Sequence, residues 1–238
     1  MLTTVNIILA VIAIIVFFVA LKTLKSIFTA IASVMGFLVI CLLAFSVIIY
    51  LDAGQLQDSF SEDKLILFEH TNEIRSGILI TGGSSEALIS QDSEITHLTQ
   101  TTLQNYTQTI EEGEIDSLPY GLILTIDAES FEKNFTLAMG ERDINMTEDV
   151  YNNIFLAQSI DDIDAILFEE YGNVGSLVIY EDATEIKSII ASNAFIEDAA
   201  STGSNYLLNL VREGDLELHP DFLTQTILKS IPSFMLPE

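Results

Sequence analysis

Basic residues, cysteine and catalytic signatures are all scarce in this 238-residue chain, and each scarcity excludes something. Nine Lys and Arg stand against 35 Asp and Glu. Binding a phosphate backbone depends on releasing counterions through Lys and Arg contacts, so nucleic acid is excluded as a partner, and anionic headgroups repel the acidic part as well. A single cysteine, Cys41, leaves no intramolecular disulfide and no cysteine-built zinc site. His70, His97 and His219 stand alone, with no second His or Cys at ligand spacing. There is no GxSxG elbow, SxxK motif or P-loop. On these grounds the chain is read as no enzyme, with no catalytic, metal or cofactor-binding residue and no cofactor.

Charge is also missing from one region entirely. Residues 1–51 contain no Asp, Glu or Arg, and their only charged side chains are Lys22 and Lys25. Val5–Leu21 and Ser26–Leu51 are the two apolar runs that flank them. At about 1.5 Å per residue the second run reaches about 39 Å, more than a hydrocarbon core of about 30 Å. One continuous helix through both would set the two lysines in lipid, at about 2.5–3.5 kcal/mol each. Two spans that turn at the lysines avoid that cost. The turn lacks Gly, Pro and Asn, so no local signal marks the reversal. A rival reading makes the first run a signal peptide, although Met1–Thr4 lacks a basic n-region. Lys22 and Lys25 act as topology determinants: the positive-inside rule puts their loop in the cytoplasm and everything from Asp52 onward outside. Ala32, Ser33 and Gly36 supply small residues for helix packing.

The chain is thus expected to be an N-terminal transmembrane α-hairpin (5–21 and 26–51) followed by a mixed α/β (α+β) globular domain. An acidic tether over 52–63 leads to an extracytoplasmic domain over 64–231 and a short tail over 232–238. Within the domain, KLILFE (64–69) and GILIT (77–81) flank an HTNE turn and read as a β-hairpin. GLILTI (121–126) and LVIY (177–180) are continuous apolar runs, which suits strands buried on both faces. Phe135–Met139 reads as an edge strand, for four to six strands in all. Helices are expected over 94–112, 148–159, 160–171, 184–200 and 205–213, with Thr147, Ser159 and Thr184 as N-caps. Ser159 and Asp162 have capping-box spacing. Gly214 is a helix stop, and Pro220 suits the first turn of a last helix.

What remains is polar. Thr81–Glu86 (TGGSSE) is the Gly-rich turn, read as an ordinary strand-to-helix turn because no Lys is near. Acidic groups recur at Glu111, Glu112, Glu114 and Asp116, at Asp161, Asp162 and Asp164, and at Asp215 and Glu217. None has the ladder of a calcium loop, so solvated faces with diffuse cation binding are expected. Three Asn-x-Thr sequons begin at Asn105, Asn134 and Asn145, and Asn134 is the best glycosylation candidate because Asn105 falls inside a helix. The expected function is a membrane-anchored cell-surface protein that binds itself or other envelope proteins. Its alternatives are an accessory subunit of a transport or secretion complex and an ectohydrolase.

Overall fold

The computed structural model describes residues 11–17, 19, 27–59, 61–82, 93–139, 142–174, 177–202, 206–220, 222 and 226. Contacts divide the chain into two compact units, Met1–Gly54 and Gln55–Glu238. In the first, residues 11–17 are helical and helix α1 begins; α1 runs over Ile27–Ser59, so its last five residues belong to the second unit. The Phe17 and Phe37 rings lie 6.5 Å apart. Within α1, Val34–Leu56 is long and apolar enough to cross a membrane, with none of its most apolar window buried. Length and composition also fit a signal sequence at this position. The expected tether is largely helix: α1 continues through Ser59, because an isolated Gly54 costs a helix only about 1 kcal/mol. Lys22 and Lys25 lie outside the described residues.

The second unit is a mixed α+β fold. Strands β1 (Lys64–His70), β2 (Glu73–Thr81), β3 (Glu94–His97), β4 (Leu122–Asp127) and β7 (Leu216–His219) form one sheet in the order β3-β2-β1-β4-β7. β1 and β4 are parallel, and the other pairs are antiparallel. β5 (Thr136–Met139) and β6 (Arg142–Asn145) form a separate antiparallel ribbon. Helices α2 (Gln100–Glu111), α3 (Glu148–Leu156), α4 (Ile160–Tyr171), α5 (Ala183–Thr202) and α6 (Tyr206–Glu213) and three 3-10 turns (Ile115–Ser117, Ala128–Ser130 and Leu177–Ile179) complete the described elements.

The continuous apolar runs explain the layering. Successive side chains of a strand point to opposite faces, so KLILFE feeds two cores at once. Ile66 and Phe68 enter a large cluster with Leu124 and Ile126 of β4, Tyr151 and Phe155 of α3, and Ile190 and Phe195 of α5. Leu65 and Leu67 enter a smaller cluster with Ile123 of β4 and Leu103 of α2. The β1–β2 hairpin turns on Thr71 and Asn72, both with positive φ (55° and 59°). Gly77 of β2 is required by close approach: an added Cβ would lie 2.8 Å from the Ile66 carbonyl oxygen and 2.9 Å from Leu98 Cδ1.

Several expectations need correction. The segment read as a helix from Glu94 begins as strand β3, and the helix starts only at Gln100. LVIY is no strand: Leu177–Ile179 is a 3-10 turn, with Leu177 buried and Ile179 73% exposed. A four-residue apolar run does not distinguish these states. β7 occupies a segment read as polar, and the strands described number seven, five in the sheet and two in the ribbon. The helix expected from Glu148 to Ser159 stops at Leu156. Asp182, not Thr184, caps α5: its Oδ1 accepts from the Glu185 N–H at 3.0 Å, while its Oδ2 accepts from the Gln100 N–H of α2 at 2.7 Å. Thr147 occupies the N-cap position of α3 without a side-chain cap bond. Ser159 and Asp162 do form the capping box, and Gly214 stops α6 at φ 90°. His219–Pro220 is a cis peptide. Gly83–Glu86 and all of the last expected helix but Pro220, Phe222 and Thr226 lie outside the described residues.

Candidate functional site

The parallel strands β1 and β4 both carry a carboxylate at the C-terminal end, Glu69 one residue before the end of β1 and Asp127 as the last residue of β4. The ladder sets Glu69 of β1 beside Asp127 of β4, and Thr125 of β4 beside Glu217 of β7. Alternation turns these residues to the face that carries Leu65, Leu67 and Ile123. α2 covers those three, whereas Glu69, Thr125, Asp127 and Glu217 line a cleft of about 290 Å³. The hairpin turn adds Thr71 and Asn72, and the 3-10 turn after β4 adds Glu129. Gly214 and Asp215, where α6 stops before β7, close the ring. In open sheets with parallel strands, ligand crevices lie beyond the carboxyl ends of such strands.

Five carboxylates therefore surround one cleft. Two are partly engaged by backbone: Glu129 Oε1 accepts from the Thr71 N–H at 3.0 Å, and Asp127 Oδ1 accepts from the Glu129 N–H at 2.8 Å. The Asp127 N–H donates to the Asp215 carbonyl at 2.8 Å, which ties the start of β7 to the end of β4. Among the described residues the ion pairs are Arg75–Glu73 and Lys133–Glu148, and neither involves a cleft carboxylate. Burial, reinforced by Asp127 and Glu217, raises the Glu69 pKa. Burial, reinforced by Asp127 and Glu213, likewise raises that of Asp215. Such a cleft favours cationic groups. Among the described residues no three His, Cys, Asp or Glu side chains converge to hold a metal ion.

The residues singled out in the sequence are scattered. His70, at the end of β1, is buried, stacks on Phe155 at 5.2 Å and meets Asn152 Oδ1 through Nε2 at 3.4 Å. His97, on β3, sits 3.3 Å from Ser192 Oγ, and burial lowers its pKa against the pull of Glu185. His70 is thus a hydrogen-bonding group at a strand end that also packs against the core. His219 lies on β7 beside Ile123. Glu111 at the end of α2, and Glu112 and Glu114 just past it, are exposed, and Asp161, Asp162 and Asp164 are exposed on α4. Of the acidic groups named from sequence, the pair Asp215 and Glu217 belongs to the cleft. Ala32, Ser33 and Gly36 all lie in α1, and the three sequons lie in the second unit.

Sequence reading missed Glu69, Asp127 and Glu129. One signal was available: KLILFE and LILTID are both apolar runs followed by an acid. Comparison with protein-family models, curated proteins and solved structures finds no match.

Proposed function

We propose that the chain is a membrane-anchored cell-surface protein, whose α+β domain stands outside the membrane and binds cationic groups of itself or of another envelope protein. The observation that carries this reading is the unburied apolar stretch Val34–Leu56 of α1. A hairpin anchor has separate support in the Phe17–Phe37 contact at 6.5 Å. Twenty residues of continuous helix would hold those rings about 30 Å apart. With the reversal at Lys22 and Lys25, the positive-inside rule favours a cytoplasmic loop and an external acidic domain. The cleft is the surface assigned to the partner. Its five carboxylates give it the negative charge that recognises a cationic group.

The test is chemical labelling. Cys41→Ala removes the native thiol, and Glu112→Cys places one at an exposed site just past α2. A membrane-impermeant maleimide should label intact cells without lysis. Labelling only after lysis would reverse the orientation. Cross-linking then tests the cleft: the variant Glu69→Gln, Asp215→Asn, Glu217→Gln should lose partners that the wild type captures.

A further inference from the structure

The three sequons differ in how the fold presents them. Asn134-Phe135-Thr136 enters β5 and Asn145-Met146-Thr147 leaves β6, so both triplets lie on the β5–β6 ribbon. In each, the middle residue is buried, Phe135 at 5% exposure and Met146 at 1%, while the flanking Asn and Thr are exposed. Residues i and i+2 of an extended chain share a face. Phe135 packs edge-on against Tyr151 at 6.4 Å, and its carbonyl accepts the Met146 N–H at 2.7 Å. The core thus anchors both triplets by their middle residues and turns each Asn and Thr outward together. Asn105 differs. It lies inside α2, where Thr107 Oγ1 donates to the Leu103 carbonyl at 2.9 Å, and helical residues two apart do not face the same way.

The two ribbon triplets are also unequal. Asn145 sits within the β6 ladder opposite Thr136, and its Oδ1 accepts from Thr136 Oγ1 at 2.9 Å. The Tyr171 hydroxyl donates to the Asn145 carbonyl at 2.6 Å, which brings the end of α4 against this triplet. Asn134 precedes the ladder, in the irregular stretch between Phe131 and β5.

We infer that Asn134 is the acceptor for an N-linked glycan, displayed on the outer face of the β5–β6 ribbon. The donor is a polyprenyl-diphosphate-linked oligosaccharide, the chemical class that carries sugar to Asn-x-Thr. A bond forms between Asn134 Nδ2 and the sugar C1, the C1–O bond to the diphosphate breaks, the polyprenyl diphosphate leaves, and Nδ2 gives one proton to a base on the transferase. This assignment rests on the external placement of the domain proposed above.

The experiment synthesises the full chain in the presence of endoplasmic-reticulum microsomes, which supply both donor and transferase. Two readouts are taken: protease protection of the domain, and a mobility step reversed by peptide N-glycosidase. The expected result is a protected domain with a step lost completely in Asn134→Gln and Thr136→Ala and retained in Asn105→Gln and Asn145→Gln. A protected domain with no glycosidase-sensitive step, or a step that survives Asn134→Gln unchanged, overturns the assignment and leaves the external placement standing. A domain digested without detergent overturns the placement, and the assignment with it.

Discussion

The two faces of the five-stranded sheet are covered very differently. On one, Ile66, Phe68, Leu124 and Ile126 lie beneath α3, α5, α6 and the β5–β6 ribbon, in the large cluster. On the other, Leu65, Leu67 and Ile123 lie beneath α2 and the chain around Ile115, Leu118 and Tyr120, and the cover gives way to an acidic cleft. The same strands build both faces, residue by residue in alternation. The thick side carries most of the buried apolar residues, and the thin side carries the clustered charge.

Truncation should separate the faces most strongly. Phe68→Ala removes a fully buried ring that touches Phe131 and Phe195, and should cost about 3–5 kcal/mol. Leu103→Ala, on the thin side, should cost about 2 kcal/mol. Urea unfolding followed by circular dichroism measures both; equal losses would mean that the faces share the load.

Next comes a test of the charge that the thick side buries. The Lys187 ammonium on α5 donates to the Ala157 carbonyl at 2.6 Å, and burial with nearby Arg75 brings its pKa down to about 8. The unfolded chain, with Lys near 10.5, binds the extra proton between these values, so stability should rise as pH increases from about 8 to about 10.5. Lys187→Met should remove most of that rise in the same unfolding assay. Burial lowers the Lys64 pKa too, so a smaller rise should remain. An unchanged slope would show that Lys187 is solvated.

The smallest effect belongs to the cleft. Glu69 and Asp215 have raised pKa values when folded, so their contribution to stability increases as pH falls from neutral toward the ordinary carboxylate range. Asp127 faces both. Asp127→Asn keeps an oxygen for the Glu129 N–H and should flatten this change. A variant as pH-dependent as the wild type would remove like-charge repulsion from the description of the cleft.

The β1–β2 hairpin was legible because two long apolar runs bracket a polar turn, and β4 because GLILTI is continuous. The capping box at Ser159 was legible because it is local. β3 was not: Ile95 and Leu98 fit the helical spacing of the residues that follow. β7 was hidden in LELH, where a four-residue alternation is too short to stand out from an acidic surround. The cleft could be read only in part, because it joins the ends of β1 and β4 to the start of β7. Charge pairs named along the chain, such as Asp161 and Asp162, went to solvent, and the cleft drew its acids from strand ends that pairing alone brings together.

That pairing also sets the order in which the fold can be completed. β1 finds its parallel partner only when β4 has been made, and β4 gains its second neighbour only from β7, after the ribbon and four helices, α3 to α6. Contacts of such wide sequence separation make folding slow, since a long loop must close before any of them forms. A ribosome synthesising this chain would release the hairpin early and the finished sheet last. Until then the apolar edge of β4 stays unpaired, open to other chains.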